Sequence, residues 1–229
     1  MQRVIWFDLG YTLVYWNREE LYREHLQQLG IEKSIDELLL AYHLTDKHFM
    51  KHFPGLLGKD RSHWEKPYYR MINRCLQIDE NTELLTSKQE RKGRPEWRAF
   101  EAAHSTLAQL KKEGCQLGLI SNWNLTARDV LENTGIMPYL DYVVISSEVD
   151  IEKPDARIFR HALELAGVQA SQCLMVGDNY YDDIIGCRQV GMEGILINPY
   201  AKQGIEEIND VEVISTIHDL TALVVGGKT

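Results

Sequence analysis

Arg3-Val4-Ile5-Trp6-Phe7-Asp8 is a short apolar run that stops on a carboxylate, and the same texture recurs along the chain. It returns at 116–120 (Gln-Leu-Gly-Leu-Ile), 142–146 (Tyr-Val-Val-Ile-Ser), 173–176 (Cys-Leu-Met-Val) and 194–197 (Gly-Ile-Leu-Ile). Runs of four to five residues, rich in β-branched side chains and without polar alternation, suit strands covered on both faces, as in a parallel sheet. Between the later runs lie helical patterns at about 98–113, 125–134, 155–166 and 182–190. Strand–helix alternation of this kind predicts an α/β fold, a Rossmann-like doubly wound parallel sheet.

Residues 16–93 read differently. Helix-like periodicity occupies 18–29, 35–52, 61–76 and 81–91, with no convincing strand. Gly30 follows the first of these helices, and Ser34 with Glu37 forms a capping-box pattern at the start of the second. Pro54-Gly55 and Gly58 interrupt before the third, and Gly93-Arg94-Pro95 marks the return to the sheet. The expected organisation is a core of residues 1–15 and 94–229, with an α-helical insertion at 16–93 placed directly after the first strand.

Composition narrows the partners. Of the 229 residues, 25 are Lys or Arg and 34 are Asp or Glu, a formal charge of -9, and no basic stripe is visible, which argues against nucleic acid and anionic membrane surfaces. An acidic chain that handles an anion must gather positive charge locally. Cys75, Cys115, Cys173 and Cys187 lack C-x-x-C spacing, so zinc is not expected and reduced structural thiols are. No segment approaches the roughly 20 apolar residues of a membrane helix. Arg3 leads straight into the first strand rather than into a signal-peptide pattern, so a cytoplasmic location is the expectation.

In open α/β sheets, ligands bind outside the carboxyl ends of the strands. The first run ends at Asp8, the second at Ser121 and the fourth at Gly177-Asp178, and Lys153-Pro154 stands a few residues beyond the third. In such a sheet these residues would converge: two carboxylates, a hydroxyl and an ammonium. That set suits phosphoryl transfer, in which a carboxylate attacks in line through an aspartyl-phosphate and positive charge steadies the phosphoryl oxygens. Two close carboxylates repel each other and an anionic substrate, so a hard cation with oxygen ligands, most simply Mg²⁺, is implied.

These residues make the chain resemble the haloacid dehalogenase-like hydrolases. The family's first motif, D-x-D-x-[TV] after an apolar strand, is echoed in Asp8-Leu-Gly10-Tyr-Thr12. Its second, a strand ending in Ser or Thr, is matched by Leu117-Gly-Leu-Ile-Ser121-Asn122. The third, a Lys before Pro, is matched by Glu152-Lys153-Pro154-Asp155, and the fourth, G-D-x-x-x-x-D, by Gly177-Asp178 through Asp183. The resemblance runs over residues 4–197. It implies that Asp8 is the nucleophile, that Asp8, Asp178 and the Gly10 carbonyl hold Mg²⁺, and that Asp183 supports the metal's water ligands. It further implies that Ser121, Asn122 and Lys153 meet a small-molecule phosphate, and that the insertion is a helical cap that closes over the substrate.

The chain departs from the pattern at position 10. The family's second aspartate there protonates the leaving group and then activates water, and glycine does neither. Help of this kind is worth on the order of 10²–10⁴-fold, so phosphates with good leaving groups (acyl, aryl or anomeric) suffer least. Tyr11 replaces the glycine usual at the next position. Candidate stand-ins for the acid are Asp182, Tyr180, Tyr181 and the histidines His43, His48, His52 and His63, while Tyr15, Trp16 and Trp123 are candidates for a pocket wall or for packing. The leading expectation is a phosphatase. Against it stand a non-catalytic binding or regulatory protein, motivated by Gly10, and a dehalogenase, disfavoured by the Gly-Asp form of the fourth motif and by the lack of a tyrosine at position 10.

Overall fold

A computed structural model describes residues 4–58, 62, 64–82 and 96–226. In chain order it contains β1 (Val4–Phe7), β2 (Val14–Trp16), α1 (Arg18–Gln28), α2 (Ile35–His52), α3 (Glu65–Cys75) and β3 (Trp97–Ala99). Then follow α4 (Ala103–Lys112), β4 (Gln116–Ser121), α5 (Ala127–Asn133), β5 (Tyr142–Ile145), α6 (Ser146–Val149) and α7 (Ala156–Ala166). The chain closes with β6 (Cys173–Gly177), α8 (Ile185–Arg188), β7 (Glu193–Ile197), β8 (Glu212–Ile214) and α9 (Leu220–Gly226).

Six strands form one parallel sheet in the order β5-β4-β1-β6-β7-β8, with β1 at the point where the order reverses. All four residues of β1 are fully buried, which explains why its sequence is apolar throughout rather than alternating. On one face Val4, Trp6, Ile120, Val144 and Met175 pack with Ile158 and Phe159 of α7. The wide Trp6 ring fits because its register partner on β4 is Gly118, where a Cβ would come within 2.3 Å of the ring.

The five expected strands are present. β8 and the small β2–β3 ribbon were not expected: each is only three residues long, too short to give a periodic signal. The chain is still extended over Trp97–Ala99, so α4 begins at Ala103 rather than near 98. The stretch expected to be helical at 182–190 begins as a π-helical turn, Tyr180–Ile184, and is α-helical only over Ile185–Arg188. The expected helix at 81–91 and Gly93-Arg94-Pro95 lie, apart from residues 81 and 82, outside the described residues. Among the described residues, no helix is long and apolar enough to cross a membrane.

The chain divides into two compact units. One draws on Met1–Tyr15, Arg98–Lys202 and Glu207–Thr229, and the other on Trp16–Trp97 and Gln203–Glu206. The second unit packs α1, α2 and α3 around Tyr22, Leu26, Leu38, Tyr42, Tyr69 and Ile72. Ser34 and Glu37 complete the capping box of α2, the side chain of each accepting from the other's backbone N–H. Within this unit a buried Arg18 pairs with both oxygens of Asp46 (3.2 and 2.5 Å) and with Glu19 (2.8 Å), its guanidinium lying 4.5 Å from the Tyr42 ring centroid. Such a network satisfies charges that would otherwise be costly to bury.

His43 on α2 lies 3.0 Å from the carbonyl of Gln203, in the segment that joins this unit from the C-terminal part of the chain. Burial, helped by the neighbouring Lys47 charge, pushes the His43 imidazole down to about 4, so the neutral ring donates Nε2–H to that carbonyl. An unfolded histidine titrates near 6.5. As pH falls from there toward about 4, the unfolded chain takes up a proton that the folded chain refuses, and stability drops. We expect the melting temperature of His43→Gln to fall less steeply than wild type between pH 7 and 4.5. Parallel acid profiles would contradict this assignment.

Candidate active site

The strand order places the ends of β4, β1 and β6 side by side. Asp8 follows β1 directly, and its backbone N–H donates to the carbonyl of Val176 on β6 (2.9 Å). After Asp8 the chain folds back at once: the N–H groups of Leu13 and Val14 both donate to the Leu9 carbonyl (2.9 and 3.0 Å), and that of Tyr11 to Val14 (2.7 Å). Tyr11 sits at φ 55°, the left-handed region that favours glycine. Tyrosine adopts this conformation at a cost on the order of 1 kcal/mol.

Three carboxylates meet here. Asp8, Asp178 and Asp183 each offer an oxygen, and these atoms lie within 4.8 Å of one another. Lys153 Nζ stands between two of them, donating to Asp8 Oδ1 at 2.7 Å and to Asp183 Oδ1 at 2.6 Å. Burial alone would lower the Lys153 pKa, but the Asp183 and Asp8 charges outweigh it and raise the pKa above that of an ordinary lysine, which favours the ammonium. Burial raises the Asp183 carboxyl even against the pull of Lys153, and burial together with the Asp183 charge pushes Asp182 up to about 7.

Local sequence explains how Asp183 reaches this cluster. A Cβ at position 177 would lie 2.1 Å from Asp183 Oδ2, so the glycine before Asp178 is what leaves room for that carboxylate. Asn179 shapes the π-helical turn: its side-chain oxygen accepts from the N–H groups of Tyr181 and Asp182, while its own N–H donates to Asp183 Oδ2 at 3.0 Å. Both Asp183 oxygens thus have donors within the protein. In the sequence Asn179 is one of the variable positions of the fourth motif; an Asn directly after a strand-ending Asp is the sign of such a side-chain-closed turn.

The remaining expected residues divide by what they touch. Ser121, at the end of β4, is 1% exposed, and its Oγ has no hydrogen-bond partner among the described residues; nor has the buried Thr12 Oγ1. Asn122 is engaged at both ends of its amide, accepting from Lys153 N–H (2.7 Å) and donating to the Lys153 carbonyl (2.9 Å). It clamps the lysine's backbone. The hydroxyl of Tyr180 donates to Asp210 (2.9 Å) and that of Tyr181 to Glu207 (3.1 Å). His43 serves Gln203, and His48 lies against His52 with ring centroids 4.5 Å apart. His63 lies outside the described residues. Tyr15 packs on Phe100 and Trp16 on Trp97.

The donor set suits a hard divalent cation. It consists of oxygens only, carboxylate charge exceeds what one lysine neutralises, and the site raises the pKa of its own buried carboxyl groups, all of which a bound cation would relieve.

A family model described as haloacid dehalogenase-like hydrolase matches residues 2–191. The pyrimidine 5'-nucleotidase YjjG of Escherichia coli is 31% identical over 180 residues, 68% of this chain and 80% of that protein. A glyceraldehyde 3-phosphate phosphatase of Methanothermobacter thermautotrophicus is 42% identical over 103 residues, 44% of this chain. The match spans 45% of that phosphatase, and only 40% of the bovine haloacid dehalogenase-like hydrolase domain-containing protein 3, which is 38% identical over 101 residues. In fold, the chain is similar to the putative hydrolase YfnB of Bacillus subtilis, solved bound to magnesium, with TM-score 0.67 at 17% identity over 97% of this chain and 98% of that one.

Replacing Lys153 by Met leaves Asp8 and Asp183 facing each other without compensation. Unpairing a buried charge costs on the order of 3–5 kcal/mol. We expect Lys153→Met to unfold at markedly lower denaturant concentration in chelator, and to recover more on adding Mg²⁺ than wild type does. Wild-type stability in chelator would show that the ammonium is not what holds the carboxylates together.

Proposed function

The chain belongs to the haloacid dehalogenase-like hydrolases, and we propose that within that family it is a Mg²⁺-dependent phosphatase of small phosphorylated molecules, acting through an aspartyl-phosphate on Asp8. The observation that carries this reading is the Asp8–Asp178–Asp183 cluster with Lys153 donating to Asp8 and Asp183. A dehalogenating aspartate attacks carbon and needs no cation, so a third carboxylate beside it would only repel an anionic substrate. The similarity to a nucleotidase and to a sugar-phosphate phosphatase supports the same direction.

In this reading Asp8 is the nucleophile. Its carboxylate is 14% exposed where that of Asp183, the other partner of Lys153, is fully buried, and Lys153 fixes one of its oxygens, leaving the other for attack. Attack on phosphorus forms the aspartyl-phosphate and expels the alcohol or acid portion with its electron pair. Ser121 Oγ, buried and without a partner among the described residues, donates to a phosphoryl oxygen. Lys153 neutralises the phosphoryl group and Asp8 together, and Asn122 holds Lys153 in register from behind. Mg²⁺ held by Asp8, Asp178 and the Gly10 carbonyl would supply the positive charge that lets the dianionic ester approach a carboxylate. Asp183, with both oxygens already engaged, orients Lys153 and the turn that carries Asp178.

Hydrolysis of an aryl phosphate and an acyl phosphate, with Mg²⁺ and with chelator, tests this directly. Wild type is expected to turn over only with Mg²⁺, and Asp8→Asn to lose activity by at least a thousandfold. Equal inertness of wild type and variant in the presence of bound Mg²⁺ would instead make the chain a binding protein on the same fold.

A further inference from the structure

Position 10 lies two residues from the nucleophile and bears no side chain, yet the space beside it is filled. A Cβ built on Gly10 would lie 3.2 Å from Cζ3 and 3.9 Å from Cη2 of Trp123. Those two atoms are the carbon edge of the indole. The polar edge faces elsewhere: Nε1–H donates to Thr126 Oγ1 at 3.1 Å, and that hydroxyl donates in turn to Asn124 at 2.7 Å. The backbone of Trp123 is held as well. Its N–H donates to the Ser146 hydroxyl (3.1 Å) and its carbonyl accepts from the same group (3.2 Å), with Ser146 buried at the start of α6. Trp123 directly follows Ser121-Asn122, so the ring is carried by the same strand end that presents the Ser121 hydroxyl.

We propose that Trp123 is the specificity-determining residue of this site: its carbon edge crowds the room that a side chain at position 10 would need and sets an apolar wall there, so that position 10 gives the leaving group no proton. The proposal rests on the phosphatase reading above and adds the substrate class to it. The first step then proceeds without a proton from position 10 to the leaving group. A bond forms from an Asp8 oxygen to phosphorus, the bond from phosphorus to the leaving oxygen breaks, and the leaving group departs with the electron pair as an anion. In the second step water attacks the same phosphorus and gives its proton to solvent, and the bond from Asp8 to phosphorus breaks, restoring the carboxylate. Such a site selects phosphates whose leaving group is a weakly basic anion with an apolar or planar body to lie against indole: aryl and aromatic acyl phosphates rather than alkyl phosphates.

The test is a double-mutant cycle of wild type, Gly10→Asp, Trp123→Ala and the double variant. Each protein is assayed with Mg²⁺ on 4-nitrophenyl phosphate, phenyl phosphate, benzoyl phosphate and glycerol phosphate, and its melting temperature is recorded. For wild type we expect rates that fall steeply with leaving-group basicity, with glycerol phosphate at least a hundredfold slower than 4-nitrophenyl phosphate. Trp123→Ala is expected to raise KM for the aryl esters severalfold. Gly10→Asp alone should gain nothing on glycerol phosphate because the ring excludes the new carboxyl, whereas the double variant should gain at least tenfold over either single one. Equal wild-type rates on alkyl and aryl esters, or the same gain from Gly10→Asp with and without Trp123, would overturn the proposal. Inertness of all four towards every ester would overturn the phosphatase reading, and the substrate class with it. Melting temperatures separate the two failures: if Trp123 fills position 10, Gly10→Asp lowers the melting temperature more in the wild-type background than beside Trp123→Ala, and equal shifts would overturn the packing claim by itself.

Discussion

A buried lysine ammonium lies between two carboxylates, and much else in the core unit serves that contact. Lys153 is 3% exposed and Asp183 is fully buried, so neither charge is tolerable without the other. Asp8 completes the group from the neighbouring strand end, and Asp178 adds a further negative charge nearby. One lysine cannot balance three carboxylates. The resulting excess is at once a strain on the fold and the attraction that a divalent cation, and through it a phosphate ester, would answer.

The means of building this contact are local. β1 at the reversal point of the sheet brings Asp8 between the ends of β4 and β6. Gly177 keeps clear the volume that the Asp183 carboxylate enters, and Asn179 closes the turn that takes the chain there. Asn122, one residue past the buried hydroxyl of Ser121, grips both polar groups of the Lys153 backbone, so the second and third sequence motifs are joined by paired hydrogen bonds. An amide that looks like a phosphate contact in the sequence is, in the folded chain, occupied in holding the lysine.

The sheet was legible because its strands are buried on both faces, which leaves uninterrupted apolar runs such as Val4–Phe7. α2 was legible over its whole length because the Ser34–Glu37 box marks its start. The short β8 and the β2–β3 ribbon escaped because three residues carry no period, and the π-helical turn because it is set by one Asn side chain rather than by a pattern. Within the site, residue types and order were readable. What was not readable was pairing across the chain: that Tyr180 and Tyr181 are committed to Asp210 and Glu207, and that Trp123, 113 positions after Gly10 in the numbering, lies 3.2 Å from where a Cβ at position 10 would be. Read alone, Gly10 is a missing acid. With Trp123 3.2 Å from its Cβ position, the space beside Gly10 is crowded by carbon, and the question moves from lost chemistry to which leaving groups can do without a proton.

In the proposed reaction Asp8 carries the phosphoryl group. Acid quench of the protein during turnover of an acyl phosphate, followed by borohydride reduction and peptide mass spectrometry, tests it most directly, because reduction converts a phosphorylated aspartate to homoserine. Homoserine is expected at position 8 and at no other aspartate, appearing only when Mg²⁺ is present. Turnover with position 8 unmodified, or modification at Asp178, Asp182 or Asp183 instead, would contradict it.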